Sequence, residues 1–382
     1  MFNNTLNIVS SLIIYCILCC VSDMEWRTVA VTILVVTLCF LAIPIRIGPD
    51  NNNEDIKLFE NYVARYNKSY KNNPTEYSDR FERFQRSLRH IEKMNGFRSS
   101  QESAFYGLTE FSDMSEDEFL QKTLFSDLSE RGKKHANASY HNEHRKRKER
   151  NHLKKRTIGI PLKVDWREKG IISPVKNQGS CGACWAFSTV EVVESMYAIK
   201  NGSLHVLSVQ EMIDCARNTN LGCEGGDICS LLAWLKLTKS PILPESNYPL
   251  TRMTDTCKLK GATAKMKTGI KVMDFTCDSF IDSEEELLIT LATHGPVAAA
   301  VNALSWQNYL GGIIQYHCDG AFASLNHAVQ IVGYDKSDTI PYYIIKNSWG
   351  PAFGDRGYIY IAIGNNLCGI ANQVSALDII YK

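Results

Sequence analysis

The amino-acid sequence predicts an α+β fold of two lobes, preceded by a polar helical segment. Three observations point to it. Glycine, proline and aromatic residues become more frequent after Ile160. Helical signals gather between residues 161 and 265, and strand-like runs gather between 266 and 382. Those runs are Val297–Val301, Ala328–Tyr334, Tyr342–Lys346 and Tyr358–Ile363, rich in β-branched and aromatic residues. Helices segregated from strands indicate α+β rather than alternating βα units, and no internal repeat is visible.

Two apolar stretches come first, Leu6–Val21 and Thr28–Ile45. Each is at or just under the roughly 17 to 20 residues that a bilayer-crossing helix needs. Arg27 and Arg46 bracket the second, and a start at Met24 would make Met24–Arg27 a short basic leader before an apolar core. No clear small-x-small cleavage site follows; Ala42 and Gly48 are the nearest candidates. A cleaved signal and a retained membrane anchor within residues 1–48 therefore both stay open, the latter implying membrane attachment before processing.

Residues 54–120 are polar and helix-like. Glu76, Arg80, Phe84, Ile91 and Asn95 recur at threes and fours and so lie along one helical stripe. Glu76 precedes Arg80 in the favourable i,i+4 order. The segment 121–159 follows, turning strongly basic at His144–Arg150 and Lys154–Arg156. Like-charge blocks are usually irregular and solvated, and exposed irregular segments are where nicking concentrates. An activation linker fits this position. No aromatic residue interleaves the basic ones and the formal net charge is only +1, so a nucleic-acid partner is not expected.

Of thirteen cysteines, Cys16, Cys19, Cys20 and Cys39 lie in the apolar N-terminal region and the other nine from Cys181 onward. In a chain with an export-type leader, this clustering indicates disulfides and an oxidising compartment. Acceptor sequons at Asn67, Asn137 and Asn201 agree with a secretory route, ending in the lysosome or outside the cell.

The stretch richest in chemistry is Pro174–Ser188. Pro174 and Gly179–Gly182 form a loop, and an apolar-striped helix runs from Cys184 to a stop at Asn201-Gly202. Cys184 then sits at a helix N-terminus. A free thiol titrates near about 8.5; the positive helix end and a neighbouring imidazolium favour the thiolate, which is the attacking species. Gln178, six residues earlier, can turn its amide N–H, with the Cys184 backbone N–H, toward a developing oxyanion. The competing reading is a Cys181-x-x-Cys184 redox or zinc pair. No second Cys-x-x-Cys, no Cys/His set at zinc spacing and no βαβ pattern accompany it, and neither metal nor cofactor is expected.

Cys181-Gly182-Ala183-Cys184-Trp185 resembles the active-site signature of the papain-like cysteine proteases. Asn326-His327-Ala328 and Lys346-Asn347-Ser348-Trp349-Gly350 resemble the family's two other signatures, in the same order. The family's His and Asn lie about 130 to 150 residues downstream; His327 lies 143 and Asn347 163 residues after Cys184. The resemblance implies a papain-like fold over residues 160–382, with a helical left lobe and a β-barrel-like right lobe. It also implies a cysteine endopeptidase acting on proteins and peptides through an acyl-enzyme. Cys184 would be the nucleophile, His327 its base, Asn347 the group that orients the base, and Gln178 an oxyanion donor, with Trp349 shielding the His–Asn bond.

Further features follow from the same resemblance. Leu221-Gly222-Cys223-Glu224-Gly225-Gly226 resembles the glycine pair that lines the cleft. Alignment of motifs puts Asp227, Ile228, Ala300, Leu325, Ala328 and Gln373 at the pocket for the second residue before the scissile bond, an apolar one. The implied disulfides are Cys181–Cys223, Cys215–Cys257 and Cys318–Cys368; Cys229 and Cys277 have no partner in that scheme. The stripe from Glu76 to Asn95 resembles the family's helical inhibitory propeptide, with Ser87 where Asn is usual, and Gly107–Asp113 resembles its second motif, with Thr109 for Asn. Residues 54–120 would thus be an intramolecular inhibitor crossing the cleft in the direction opposite to substrate. A zymogen is expected, cut in the basic linker to leave a mature chain from about residue 160.

Overall fold

The computed structural model describes residues 51–124, 159–217, 219–259 and 269–381. The apolar stretches within residues 1–48, the basic run and the sequon at Asn137 lie outside the described residues. Among those described, no helix is long and apolar enough to cross a membrane. The contacts divide the chain into two units, residues 1–58 and 59–382. The described part of the first, residues 51–58, opens helix α1 (Asn51–Arg65).

The second unit begins with the helical pro-segment. Helix α2 (Pro74–Asn95) starts where Pro74 presets the first turn and the Asn73 side chain accepts a bond from Glu76 N. Phe84, on the predicted stripe, is fully buried with Phe59, Tyr62, Val63 and Tyr70. Arg80, on the same stripe, makes a forked pair with Glu118, its Nη1 and Nη2 lying 2.6 and 2.8 Å from the two carboxylate oxygens. Asn95 closes the stripe by bonding both N–H and C=O of Tyr106 at 2.9 and 2.8 Å. Strand β1 (Phe105–Tyr106) and helix α3 (Glu116–Lys122), capped by the Ser115 hydroxyl, follow.

After β2 (Lys163–Asp165), the first lobe packs α4 (Cys184–Asn201), α5 (Val209–Cys215) and α6 (Ile228–Thr238) about one apolar core. Helix α4 ends on Gly202 at φ 74°, a left-handed cap that suits glycine. It is not the one-sided helix that the sequence suggests. Every residue from Cys184 to Ala198 is buried, because Glu191 and Glu194 are neutralised inside by Lys346 and Lys176.

The second lobe is built on strands β4 (Val297–Val301), β7 (His327–Asp335), β8 (Tyr342–Lys346) and β9 (Tyr358–Ala362), close to the predicted runs. With β6 (Ile313–Ile314) and β10 (Gln373–Ser375) the order is β10-β4-β7-β8-β9-β6, and β2 pairs with β7. This path is open and does not close into a ring. Strand β3 (Ile270–Phe275) pairs with β11 (Leu377–Tyr381), and helix α7 (Glu284–Thr293) packs on β7. Strand β1 of the pro-segment pairs with β5 (Tyr309–Gly311). Tyr106, Phe111, Phe119 and Leu124 of the pro-segment join the core of the second lobe.

Among the described residues four disulfides are formed: Cys181–Cys223, Cys215–Cys257, Cys318–Cys368 and, in addition, Cys229–Cys277. Among the described cysteines this leaves Cys184 as the free thiol.

Candidate active site

The nucleophile loop is pinned before the helix starts. Gly182 N donates to Cys223 O at 2.7 Å, and a Cβ on Gly182 would sit only 2.7 Å from that carbonyl, so glycine is needed there. The Cys181–Cys223 disulfide holds the same pair of loops, and Cys184 opens α4. His327 opens β7 and Asn347 follows the last residue of β8; the two strands are antiparallel neighbours. The N–H of Ala328, one residue past His327, bonds toward the Cys184 sulfur.

His327 Nε2 and Asn347 Oδ1 are 2.7 Å apart. Ser348 N donates to the same Asn347 atom at 2.9 Å. A backbone N–H can only donate, so that atom is oxygen, and Nε2 must carry a proton. The neutral ring therefore keeps its lone pair on Nδ1, which is buried without a hydrogen-bond partner among the described residues. Trp349 lies over the imidazole at 4.8 Å between centroids, and Trp306 meets it edge-on at 6.1 Å. Both indoles shield the His–Asn bond from water, where it is stronger. Trp306 escaped the sequence reading because it lies in a short turn with no signature of its own.

With the cleft covered, this pair is neutral. Burial pushes the Cys184 thiol up to about 11, against weak opposition from backbone N–H groups. Burial also pushes His327 down to about 4, only partly offset by the bond from Asn347. The cover is the end of the pro-segment. Gln178 Nε2 donates to Thr123 O at 3.0 Å and to Cys181 O at 3.0 Å. Its Oε1 accepts from the Ser348 hydroxyl at 2.6 Å, which fixes the amide with nitrogen toward the cleft. A pro-segment carbonyl thus occupies the donor expected to face an oxyanion. Leu124 O stands 3.6 Å from the Cβ position of Gly182, and Phe119 packs against Trp349 at 5.5 Å.

A buried charge cluster behind the site sets the position of Asn347. Lys346, the residue before it, lies 2.9 Å from Glu191 Oε1 on α4, off the direction of a hydrogen bond, and donates to Ser173 at 3.0 Å. Lys176 meets Glu194 at 2.8 Å. Burial pushes Glu191 up and Lys346 down, so the pair moves toward sharing a proton rather than full separation of charge.

The predicted pocket residues are brought together in part. Gln373, Ala300 and Ala328 stand opposite one another on β10, β4 and β7. Ala300 packs with Leu325 and Phe322. Asp227 reaches Gln373 at 2.6 Å and also caps α6. Ile228 is buried in the first-lobe core. At Gly226 a Cβ would lie 2.6 Å from the Trp185 ring, so packing alone requires glycine there. Gly225 takes φ 110°, outside the range of other residues.

A site of this kind, a thiol at a helix start bonded by the N–H next to an Asn-oriented imidazole, beneath a helical pro-segment, defines a class that comparison also finds. Residues 160–377 match the papain family cysteine protease description, and residues 59–119 match the cathepsin propeptide inhibitor domain. The chain belongs to the papain family of cysteine proteases and is a cysteine endopeptidase made as a zymogen. It is 39% identical over 295 residues to cathepsin O of Homo sapiens, covering 77% of this chain and 86% of that protein. It is 36% identical over 321 residues to papaya proteinase 4 of Carica papaya, covering 82% and 84%. Among solved structures, the Amb a 11 cysteine protease of ragweed pollen in its proform superposes with a TM-score of 0.70 at 29% identity, covering 85% of this chain and 94% of that one. A recombinant stem bromelain precursor gives 0.68 at 30%, covering 85% and 98%.

Proposed function

We propose that Cys184, His327, Asn347 and Gln178 carry out peptide hydrolysis as one unit once the pro-segment has left. Removing Thr123 and Leu124 lets water back to the ring, so the desolvation that keeps thiol and imidazole neutral falls away. The Cys184 proton then moves to His327 Nδ1. The thiolate attacks the scissile carbonyl, and the oxyanion is met by Gln178 Nε2 and the Cys184 N–H. His327 gives its proton to the leaving amine as the C–N bond breaks, leaving an acyl-enzyme. Water, deprotonated by the same Nδ1, then releases the acid and restores the thiol. Asn347 holds the ring throughout. The observation that carries this reading is the Nε2–Asn347 bond, which leaves Nδ1 as the basic nitrogen.

In this reading residues 54–120 inhibit together with Thr123 and Leu124 at the start of the 121–159 segment, that segment is cut on activation beyond them, and residues 160–382 are the catalytic domain. The second residue before the scissile bond is apolar, received by Ala300, Leu325 and Ala328, with Gln373 at the base, Asp227 at the rim and Ile228 behind them in the first-lobe core. Gly225 and Gly226 line the cleft, and Trp349 forms the wall beyond the scissile bond. Residues 1–48 direct export; a retained anchor would tether the precursor until the linker is cut. Four disulfides and the exposed sequon residues Asn67 and Asn201 support a secretory route to the lysosome or the cell exterior.

The test uses the full chain at mildly acidic pH with a thiol probe. Cys184 labels only after the pro-segment is cut, and Cys184→Ala or His327→Ala lowers kcat/KM of the processed enzyme by about 1,000-fold or more. Either variant cleaving at the wild-type rate ends the assignment.

A further inference from the structure

The Cys229–Cys277 disulfide lies beside the polar base of the substrate pocket. Cys229 is the second residue of α6, whose first turn is capped by Asp227 Oδ1 accepting from Ser230 N at 2.7 Å. Cys277 sits in a segment strapped to β10: Thr276 N donates to Ala376 O, and Asp278 exchanges backbone bonds with Val374. The disulfide therefore joins the start of a first-lobe helix to a second-lobe strand. Two side chains of β10 meet it from one face, as residues i and i+2 of a strand do. The Ser375 hydroxyl lies 3.5 Å from Cys229 Sγ and 3.2 Å from Cys277 Sγ. Gln373 Nε2 donates to Cys229 Sγ at 3.3 Å and to Asp227 Oδ2 at 2.6 Å.

These contacts fix which way the Gln373 amide faces. A carboxylate and a disulfide sulfur only accept, so the atom between them is nitrogen, and both of its hydrogens are used. The remaining polar atom, Oε1, has no partner among the described residues. It is also absent from the sealed polar atoms of this half-buried side chain. Gln373 shares its sheet face with Ala300 and Ala328, and Leu325 and Phe322 pack around Ala300. Gln373 thus carries an unpartnered acceptor on a sheet face whose neighbouring side chains are small or apolar.

Resting on the reading that these residues receive the second residue before the scissile bond, we propose that the Cys229–Cys277 disulfide and Asp227 are positioning groups that present the Gln373 carbonyl to substrate. The pocket then selects an apolar side chain that ends in a hydrogen-bond donor, tyrosine over phenylalanine. A ligand that covers an acceptor without donating to it leaves that acceptor unpaired, which a matched donor avoids.

The experiment compares processed enzyme on paired peptides differing only in Tyr or Phe at that position, with active sites titrated by a thiol probe. Wild type is expected to favour Tyr in kcat/KM by about 3- to 10-fold. Gln373→Leu should bring the ratio to about one or below. Cys229→Ala/Cys277→Ala should move it toward one, with the Phe peptide cleaved within about twofold of wild type. Asp227→Asn, which lets the amide turn over, should also move the Tyr/Phe ratio toward one should the cysteine variant not fold. General loss of structure cannot imitate these results, because both peptides read the same enzyme. A wild-type ratio at or below one, or an unchanged ratio in Gln373→Leu, overturns the acceptor. A ratio that neither the cysteine pair nor Asp227→Asn changes overturns the positioning. Failure of the underlying reading looks different: titrated enzyme would cleave neither peptide, or the Tyr/Phe effect would move to another substrate position.

Discussion

The pro-segment holds the enzyme through two parts that are built differently. Its body has a core of its own, with Phe59 and Phe84 fully buried and their rings 5.0 Å apart. Buried Asp113 accepts from Tyr62, Tyr70 and Lys68 at 3.0, 2.6 and 2.9 Å, and Glu118 gathers Arg80, Arg83 and Lys122. The arm, Thr123–Leu124, has no such network. It offers one carbonyl to Gln178 and one apolar side chain to the core. The body is placed to supply affinity. The arm inhibits by keeping water from Cys184 and His327 and by occupying Gln178. Affinity and inhibition are therefore separable, and the two parts should fail under different perturbations.

The largest effect is expected from the body. Phe84→Ala removes a fully buried ring, which typically costs about 3 to 5 kcal/mol. The body should open, and the arm with it, so Cys184 in the uncut precursor should label about 100-fold faster or more. Labelling as slow as wild type would mean that the arm is held without the body, and the distinction would collapse.

Acid should act on the arm instead. His327 in the covered site is held near about 4 against an ordinary 6.5. A group depressed on folding stabilises the closed state above its ordinary value and loses that contribution as pH falls toward the depressed one. In a Cys184→Ala precursor, where no thiol proton can pass to His327 on opening, opening of the arm should thus become easier by up to about tenfold per pH unit between about 6 and about 4. Cys184 works at the other end: raised to about 11 from 9.0, its contribution is intact in acid and lost only as pH rises through about 11. Burial works against the Glu118 charge, but bonds from Arg80 and Lys122 outweigh it and hold the carboxyl at about 2. That carboxyl stays ionised throughout the window, so acid spares this tie of the body. Hydrogen exchange of that precursor, corrected for intrinsic pH dependence, should show protection falling at Thr123 and Leu124, whose N–H groups bond Phe119 O, while it persists along 77–95. Flat protection of the arm from pH 6 to 4.5 would remove the acid mechanism.

The sequence made the scaffold legible where signals are local. Val297–Val301 and Tyr342–Lys346 are buried apolar runs of strand length, and Asn201-Gly202 marks the end of α4. The three active-site motifs were legible for the same reason. What stayed hidden depends on partners far along the chain. Glu191 and Glu194 look like the outer face of a helix until Lys346 and Lys176 are seen beside them. Cys229 and Cys277 carry no local mark of their pairing. The neutral state of Cys184 and His327 follows from burial under residues some 60 and 200 positions earlier, which motif reading cannot supply.

The smallest effect tests a tie between the body and the catalytic domain. Thr109 stands where the family usually has asparagine, yet its hydroxyl donates to Gln307 O at 2.6 Å and accepts from Phe111 N at 3.2 Å. Gln307 in turn donates to the carbonyls of Phe111 and Met114 at 2.8 and 3.0 Å. Thr109→Val keeps the shape and removes the hydroxyl, leaving the Gln307 carbonyl with a bond fewer and the Phe111 N–H without that acceptor, which together cost about 1 to 2 kcal/mol. Inhibition of processed enzyme by pro-segment added in trans should weaken by about 5- to 30-fold, with the pro-segment's own helix content unchanged. Since the lost bond ties the body to Gln307 of the catalytic domain, away from the arm, the weakening should be equal at pH 6 and pH 4.5. A loss that grows in acid would place Thr109 with the arm and redraw the boundary between the two parts.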